Sequence, residues 1–268
     1  MKILFACFLT LLITACSYKN IKLEENKDYT IKEVSSNLYL SFNEFIDKIY
    51  EYDIILLGEE HDKIKIHVAQ NEILKALTQR KDYNVVFEMF DNNQQKAINK
   101  AESNKSNIKQ DDLLKALTFN ENWGKGYDLL LETTFYSNSN IIAGNLSKDE
   151  ISTIYKGYEL IKGENSTNEK VQSKIKELIA SFHPNKTEEN YLNKLVQIQQ
   201  YKDRNMAKKL VEANNSSILI AGNFHTDKSV GVPLHIKDLK TDKKVVVIAL
   251  VSNEKNEHEA DFIWLIKK

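Results

Sequence analysis

The feature that most constrains this chain is a series of short aliphatic runs that do not alternate with polar residues. Asp53–Leu57, Asn84–Glu88, Asn140–Ala143, Ser217–Ala221, Lys244–Val251 and Asp261–Ile266 are apolar nearly throughout. A strand exposed on one face alternates with period two, whereas a strand covered on both faces of a parallel sheet need not. Helical stretches separate the runs. Lys63–Arg80 carries Ile66, Ala69, Ile73, Leu74 and Leu77 at helical spacing, and "SFNE" (41–44) and "SKDE" (147–150) are spaced as capping boxes. With 2 prolines and 8 glycines in 268 residues, long irregular loops are few. The pattern predicts an α/β fold, doubly wound around a mainly parallel sheet, with an inserted helical subdomain. The α/β domain is expected over 33–145 and 215–268. The block 146–214, longer than one crossover requires, is expected to be the helical subdomain.

The first residues read differently. "MKILFACFLTLLITAC" has a lysine, an apolar run too short to span hydrocarbon, and small residues before Cys16. This predicts a signal peptide over 1–15. The "ITAC" ending resembles a bacterial lipobox, which would leave Cys16 lipidated, followed by a polar tether over 16–32. The expected location is the bacterial cell envelope, as a lipid-anchored protein of the outer membrane. Both cysteines, Cys7 and Cys16, lie in this segment, so the mature body is expected to have none. That excludes cysteine nucleophiles, zinc–cysteine sites, iron–sulfur clusters and CxxCH haem attachment. A formal net charge of −1, from 37 basic and 38 acidic residues, gives no reason to expect nucleic acid as a partner.

The aliphatic runs end alike, in "GEEHD", "FEMFD", "AGNLS" and "AGNFH". In a parallel sheet these ends share one edge, where ligand crevices form. Glu59, His61, Glu88, Asn145, Asn223 and His225 are therefore expected to converge. Two imidazoles with a carboxylate could hold a divalent metal, and another carboxylate could activate a bound water. On that reading His61, Glu88 and His225 would serve a metal-dependent esterase or peptidase. "HDKIKIH" is not the HExxH of zinc proteases, and His67 is assigned to the surface or to a supporting layer. Both His61 and His225 are expected on strand-end loops, where their replacement should spare folding. No GxSxG, GxGxxG or P-loop follows a strand.

The motifs "LGEEHD…H..Q" (57–70), "FEMFD", "GNLS", "QQYKDRNMA" (199–207) and "AGNFHTDKSVGVPLHI" (221–236) resemble the ChaN family of haem-binding bacterial lipoproteins. That family is in turn similar to the TIKI and TraB proteins and to erythromycin esterases. The resemblance implies a binding protein for iron uptake rather than an enzyme, taking ferric haem without a covalent bond, with haem-promoted homodimerisation. It also implies a tyrosine on the iron and a histidine and a lysine on the propionates. A phenolate oxygen suits ferric iron. Tyr127, in "WGKGYDLL", matches a W…Y pattern of the family, with Trp123 as apolar wall. Tyr155, Tyr158 and Tyr201 remain open as alternatives among 12 tyrosines. For the propionates the candidates are His183 with Lys202 or Lys148.

Overall fold

The computed structural model describes residues 18–182, 188–253, 255 and 258–267. Its strands are β1 (Tyr29–Glu33), β2 (Tyr39–Leu40), β3 (Ile54–Glu59), β4 (Asn84–Asp91), β5 (Asn140–Asn145), β6 (Ser217–Gly222), β7 (Val245–Val251) and β8 (Phe262–Ile266). They form one sheet in the order β2-β1-β8-β7-β3-β6-β4-β5. From β8 to β5 every pairing is parallel, while β1 and β2 add an antiparallel edge. The strands read from unalternating runs are all present. β3 through β7 are buried along nearly their whole length apart from β5, which lies at the sheet edge.

The helices are α1 (Phe42–Tyr50), α2 (Ile64–Thr78), α3 (Gln95–Ser103), α4 (Leu113–Ala116), α5 (Tyr127–Tyr136), α6 (Lys148–Gly157), α7 (Glu169–Phe182), α8 (Glu189–Glu212), α9 (Asn223–Thr226) and α10 (Val232–Asp238). Both capping boxes form: Ser41 with Glu44 opens α1, and Ser147 with Glu150 opens α6. One face of the sheet packs against α1, α2, α3 and α5 in the larger core, which includes Phe45, Ile66 and Leu130. The other face packs against α8 and α10 through Met206, Leu210 and Val232. Helices on both faces make the fold doubly wound, as expected.

One boundary differs from expectation. The tether over 16–32 ends earlier than its polar composition implied. Tyr29 and Ile31 face the core from β1, and Tyr29 lies 4.6 Å from Trp264 between ring centres. Those apolar residues are two apart, the period of a half-buried strand. The helical block 146–214 reaches from the sheet to small clusters beside it. α8 spans 24 residues, and its C-terminal half covers the sheet, while α6, α7 and its N-terminal half form small apolar clusters of their own. Cys16 and His183 lie outside the described residues. Among the described residues no helix is long and apolar enough to cross a membrane.

Candidate functional site

Along the C-terminal edge of the sheet, β6 lies between β3 and β4, so these strand ends meet where the strand order reverses. Glu59 ends β3, Glu88 lies in the second half of β4, and His225 sits in α9 directly after β6. The approach is close because Gly58 has no side chain. A Cβ there would lie 2.2 Å from Asn223 Oδ1 and 2.4 Å from Thr226 Oγ1. The glycine of "LGEEHD" thus lets the "GNFHT" turn settle on β3.

Two linked clusters result. In the first, Tyr127 donates its hydroxyl proton to Glu59, and His61 Nδ1 lies 2.7 Å from the same carboxylate and 3.1 Å from the phenol oxygen. His67 supports them from behind. It is fully buried, with Nδ1 2.9 Å from the Lys125 carbonyl, Nε2 3.5 Å from Glu59 and its ring against Tyr127. In the second cluster, His225 Nε2 lies 3.1 Å from Glu88 and its Nδ1 lies 2.5 Å from Asp203 of α8. The Gln199 Nε2 lies 3.0 Å from that same Nδ1. Glu88 also accepts the Gly222 backbone N–H at 2.9 Å, and its Oε2 lies 3.9 Å from His61 Nε2.

Charge pairing outweighs burial at His225 and Glu88. Burial alone would lower the pKa of His225, but the Glu88 and Asp203 carboxylates raise it to about 10. Burial alone would raise Glu88, yet the His225 and His61 charges and the Gly222 N–H hold it well below the usual carboxylate range. Asp203 lies above its ordinary range, because burial outweighs its pairing with His225. In the first cluster, burial opposes protonation of His61, but Glu59 and Glu88 raise its pKa. The Tyr127 phenol is pushed up by burial and by the Glu59 charge, so it stays protonated.

The structure brings Glu59, His61, Glu88 and His225 together at this edge. Asn145 and Asn223 lie at the same edge but serve the backbone. Asn145 donates to the Glu88 carbonyl at 3.1 Å, and Asn223 donates to the Leu250 carbonyl at 2.9 Å. The metal-hydrolase reading does not fit this geometry. Both ring nitrogens of His225 are directed at carboxylates, Nε2 at Glu88 and Nδ1 at Asp203. Among the described residues no three His, Cys, Asp or Glu side chains are arranged to hold a metal ion.

Tyr127 also departs from expectation. It is 1% exposed, and its hydroxyl forms part of the floor of the site rather than a surface that a macrocycle could reach. Tyr155 is 40% and Tyr158 56% exposed, while Tyr201 donates to the Glu159 carbonyl and packs edge-on against Tyr158. Lys202 is half-buried beside Tyr201, and Lys148 is exposed at the start of α6. Trp123 lies with its ring centre 5.3 Å from that of His61. Sequence reasoning missed Asp203 and Gln199, although both lie in the "QQYKDRNMA" stretch.

In front of the clusters opens a cavity of about 390 Å³. Its apolar wall comes from Ile175, Leu178, Ile179 and Phe182 of α7 with Phe224 and Val230, and the polar floor includes His61, Asp203 and His225.

Residues 45–236 match the family model described as haem-binding uptake, Tiki superfamily, ChaN. The chain belongs to this family. It is 38% identical to a solved protein of Campylobacter jejuni described as ChaN with cofacial haem binding. The likeness covers 92% of this chain and 100% of that one, with a TM-score of 0.88. An erythromycin esterase in its open conformation is 16% identical, over 79% of this chain and 73% of that one, with a TM-score of 0.45. No curated protein matches the chain.

Proposed function

We propose that this protein binds ferric haem non-covalently, as a face-to-face pair between two copies of the chain, and serves iron uptake. The observation that carries the reading is the full-length likeness to the Campylobacter jejuni protein described by its cofacial haem binding. The chemistry of the two available surfaces supports a particular place for the ligand. Glu59, Glu60 and Asp203 line the strand-end cavity, and no lysine or arginine among its described lining residues opposes them. That sign is wrong for two propionates. The segment after α6 instead presents Tyr158 and, 72% exposed, Leu160, with Tyr155 on the last turns of the helix. The Lys194 ammonium lies 4.5 Å from the centre of the Tyr155 ring.

In this reading Tyr158, the most exposed of the four candidate tyrosines, is the iron ligand. Tyr201 and Leu160 contact one face of the macrocycle, and Lys194 joins Lys202 and Lys148 as candidates for the propionates. A second copy covers the other face. The "ITAC" ending at Cys16 supports a lipid anchor and a place at the outer membrane of the cell envelope. The test is a haemin titration followed in the visible spectrum. Wild type should show a shifted Soret band with a phenolate-to-iron charge-transfer band, and Tyr158→Phe should lose the latter while keeping its far-ultraviolet circular dichroism. If Tyr158→Phe keeps the wild-type spectrum and Tyr155→Phe loses the band, the neighbouring tyrosine is the ligand. A wild-type protein that leaves the haemin spectrum unchanged would overturn the haem reading as a whole.

A further inference from the structure

The haem reading leaves the strand-end cavity without a role, although its floor holds two linked clusters of buried polar groups. We propose that this cavity is a second binding site, for a small primary amine carried on an apolar body. Its volume of about 390 Å³ falls within the range of small-molecule pockets. The α7 wall, with Leu178 and Phe182 opposite Phe224, suits an aliphatic or aromatic body.

The floor selects the head group. Asp203 is 1% exposed and lines the cavity, and its Oδ2 has no hydrogen-bond partner among the described residues. A buried carboxylate oxygen without a donor is costly, and a ligand that brings an N–H removes that cost. The surrounding charge favours a cation over a neutral donor. Glu59, Glu60 and Asp203 line the space and Glu88 lies just behind it, against His61, His225 and His258, with no described lysine or arginine. An ammonium offers three donors and a full charge, so it can serve Asp203 Oδ2 in a charge-assisted hydrogen bond. A carboxylate of the same size would bring a further negative charge against Glu59, Glu60 and Asp203 and has no proton to donate to Asp203 Oδ2.

The experiment is isothermal titration calorimetry of the full chain at neutral pH, with hexylamine, hexanol and hexanoate as matched probes. Hexylamine should bind saturably, about tenfold or more tighter than hexanol, and hexanoate should not compete with it. Asp203→Asn should remove the preference for the amine over the alcohol. Because Asp203 also holds His225, that variant could lose the fold. Leu178→Trp, which fills the cavity from the α7 side, should abolish hexylamine binding with the melting midpoint unchanged. Saturating hexylamine should leave the haemin titration unaltered. Hexanoate or hexanol binding as tightly as the amine would overturn the proposal, as would the absence of saturable binding. Displacement of haemin by hexylamine would also sink it, because the cavity would then belong to the haem site.

Discussion

His225 Nε2 lies 3.1 Å from Glu88, while the opposite nitrogen of the same ring lies against Asp203. One imidazolium thus bridges two buried carboxylates contributed by β4 and α8, tying the sheet to the helix that covers it. Removing one member leaves the others as uncompensated buried charge. His225→Ala is therefore expected to cost about 3–5 kcal/mol in urea denaturation. The His61 side chain is 40% exposed, so His61→Ala should cost far less, at most about 1 kcal/mol. The expectation that both histidines can be replaced freely thus holds in this prediction for His61 alone. Equal small effects of the two substitutions would show that the buried triad contributes no stability.

The same pair predicts a dependence on pH. His225 has its folded pKa raised to about 10 from 6.5, so its contribution is complete below 6.5 and is lost as pH rises through about 10. Glu88 has its folded pKa depressed from 4.5, so its contribution is present above 4.5 and is lost as pH falls through the depressed value. The stability advantage of wild type over His225→Gln should therefore be greatest between pH 4.5 and 6.5 and shrink toward pH 10. Thermal melts of the two proteins across that range provide the check, and an advantage that grows toward pH 10 would contradict the assignment.

Gly58→Ala should destabilise the fold even though the site is a buried strand and alanine is apolar. The new methyl would enter the space of Asn223 and Thr226. Asn223 cannot retreat without giving up the Leu250 carbonyl. Overpacking of this kind costs about 1–3 kcal/mol, and a melting midpoint equal to wild type would show that the turn yields.

Acylation of Cys16 is the step that would fix the protein to a membrane. Cys16→Ala should abolish labelling by palmitate in cells. A variant that is still labelled would remove the basis for an envelope anchor.

The fold was largely legible because fully buried parallel strands leave a signal that needs no tertiary information. β1 and β2 escaped notice because they are short, polar-flanked and antiparallel, and β2 is only 2 residues long. The strand-end half of the site could be read for the same reason: Glu59, Glu88 and His225 follow directly from where the aliphatic runs stop. Asp203 and Gln199 come from a helix, and tertiary packing alone aims them at His225. Even so, Asp203 precedes Met206, Ala207 and Leu210 by three, four and seven positions, which makes it a carboxylate on a buried stripe. Tyr127 carried a similar signal. It shares the buried face of α5 with Leu130, Leu131, Thr134 and Phe135, a spacing that marks an inward-facing tyrosine.

That burial sets the last prediction. Tyr127→Phe retains the ring that packs against His67 and Phe119 and removes only the oxygen that donates to Glu59. Glu59 then keeps His61 at 2.7 Å, but one buried acceptor loses its second donor, at a cost of about 1–3 kcal/mol. The effect on haem should be nil if the iron ligand is Tyr158, because the phenol at position 127 has no path to an external macrocycle. The decisive measurement pairs Tyr127→Phe with Tyr158→Phe, each titrated with haemin and each sedimented with and without it. Tyr127→Phe should melt lower, keep the charge-transfer band and still form a haem-linked dimer. Tyr158→Phe should melt as wild type, lose the band and stay monomeric. In the proposed arrangement association entropy opposes the dimer, so the shared haem pair would have to supply the apolar contact between the two copies. A reversed pattern, with the band lost in Tyr127→Phe alone, would mean that α5 moves to deliver Tyr127 when haem arrives. A wild type that stays monomeric when saturated with haem would instead eliminate the paired arrangement.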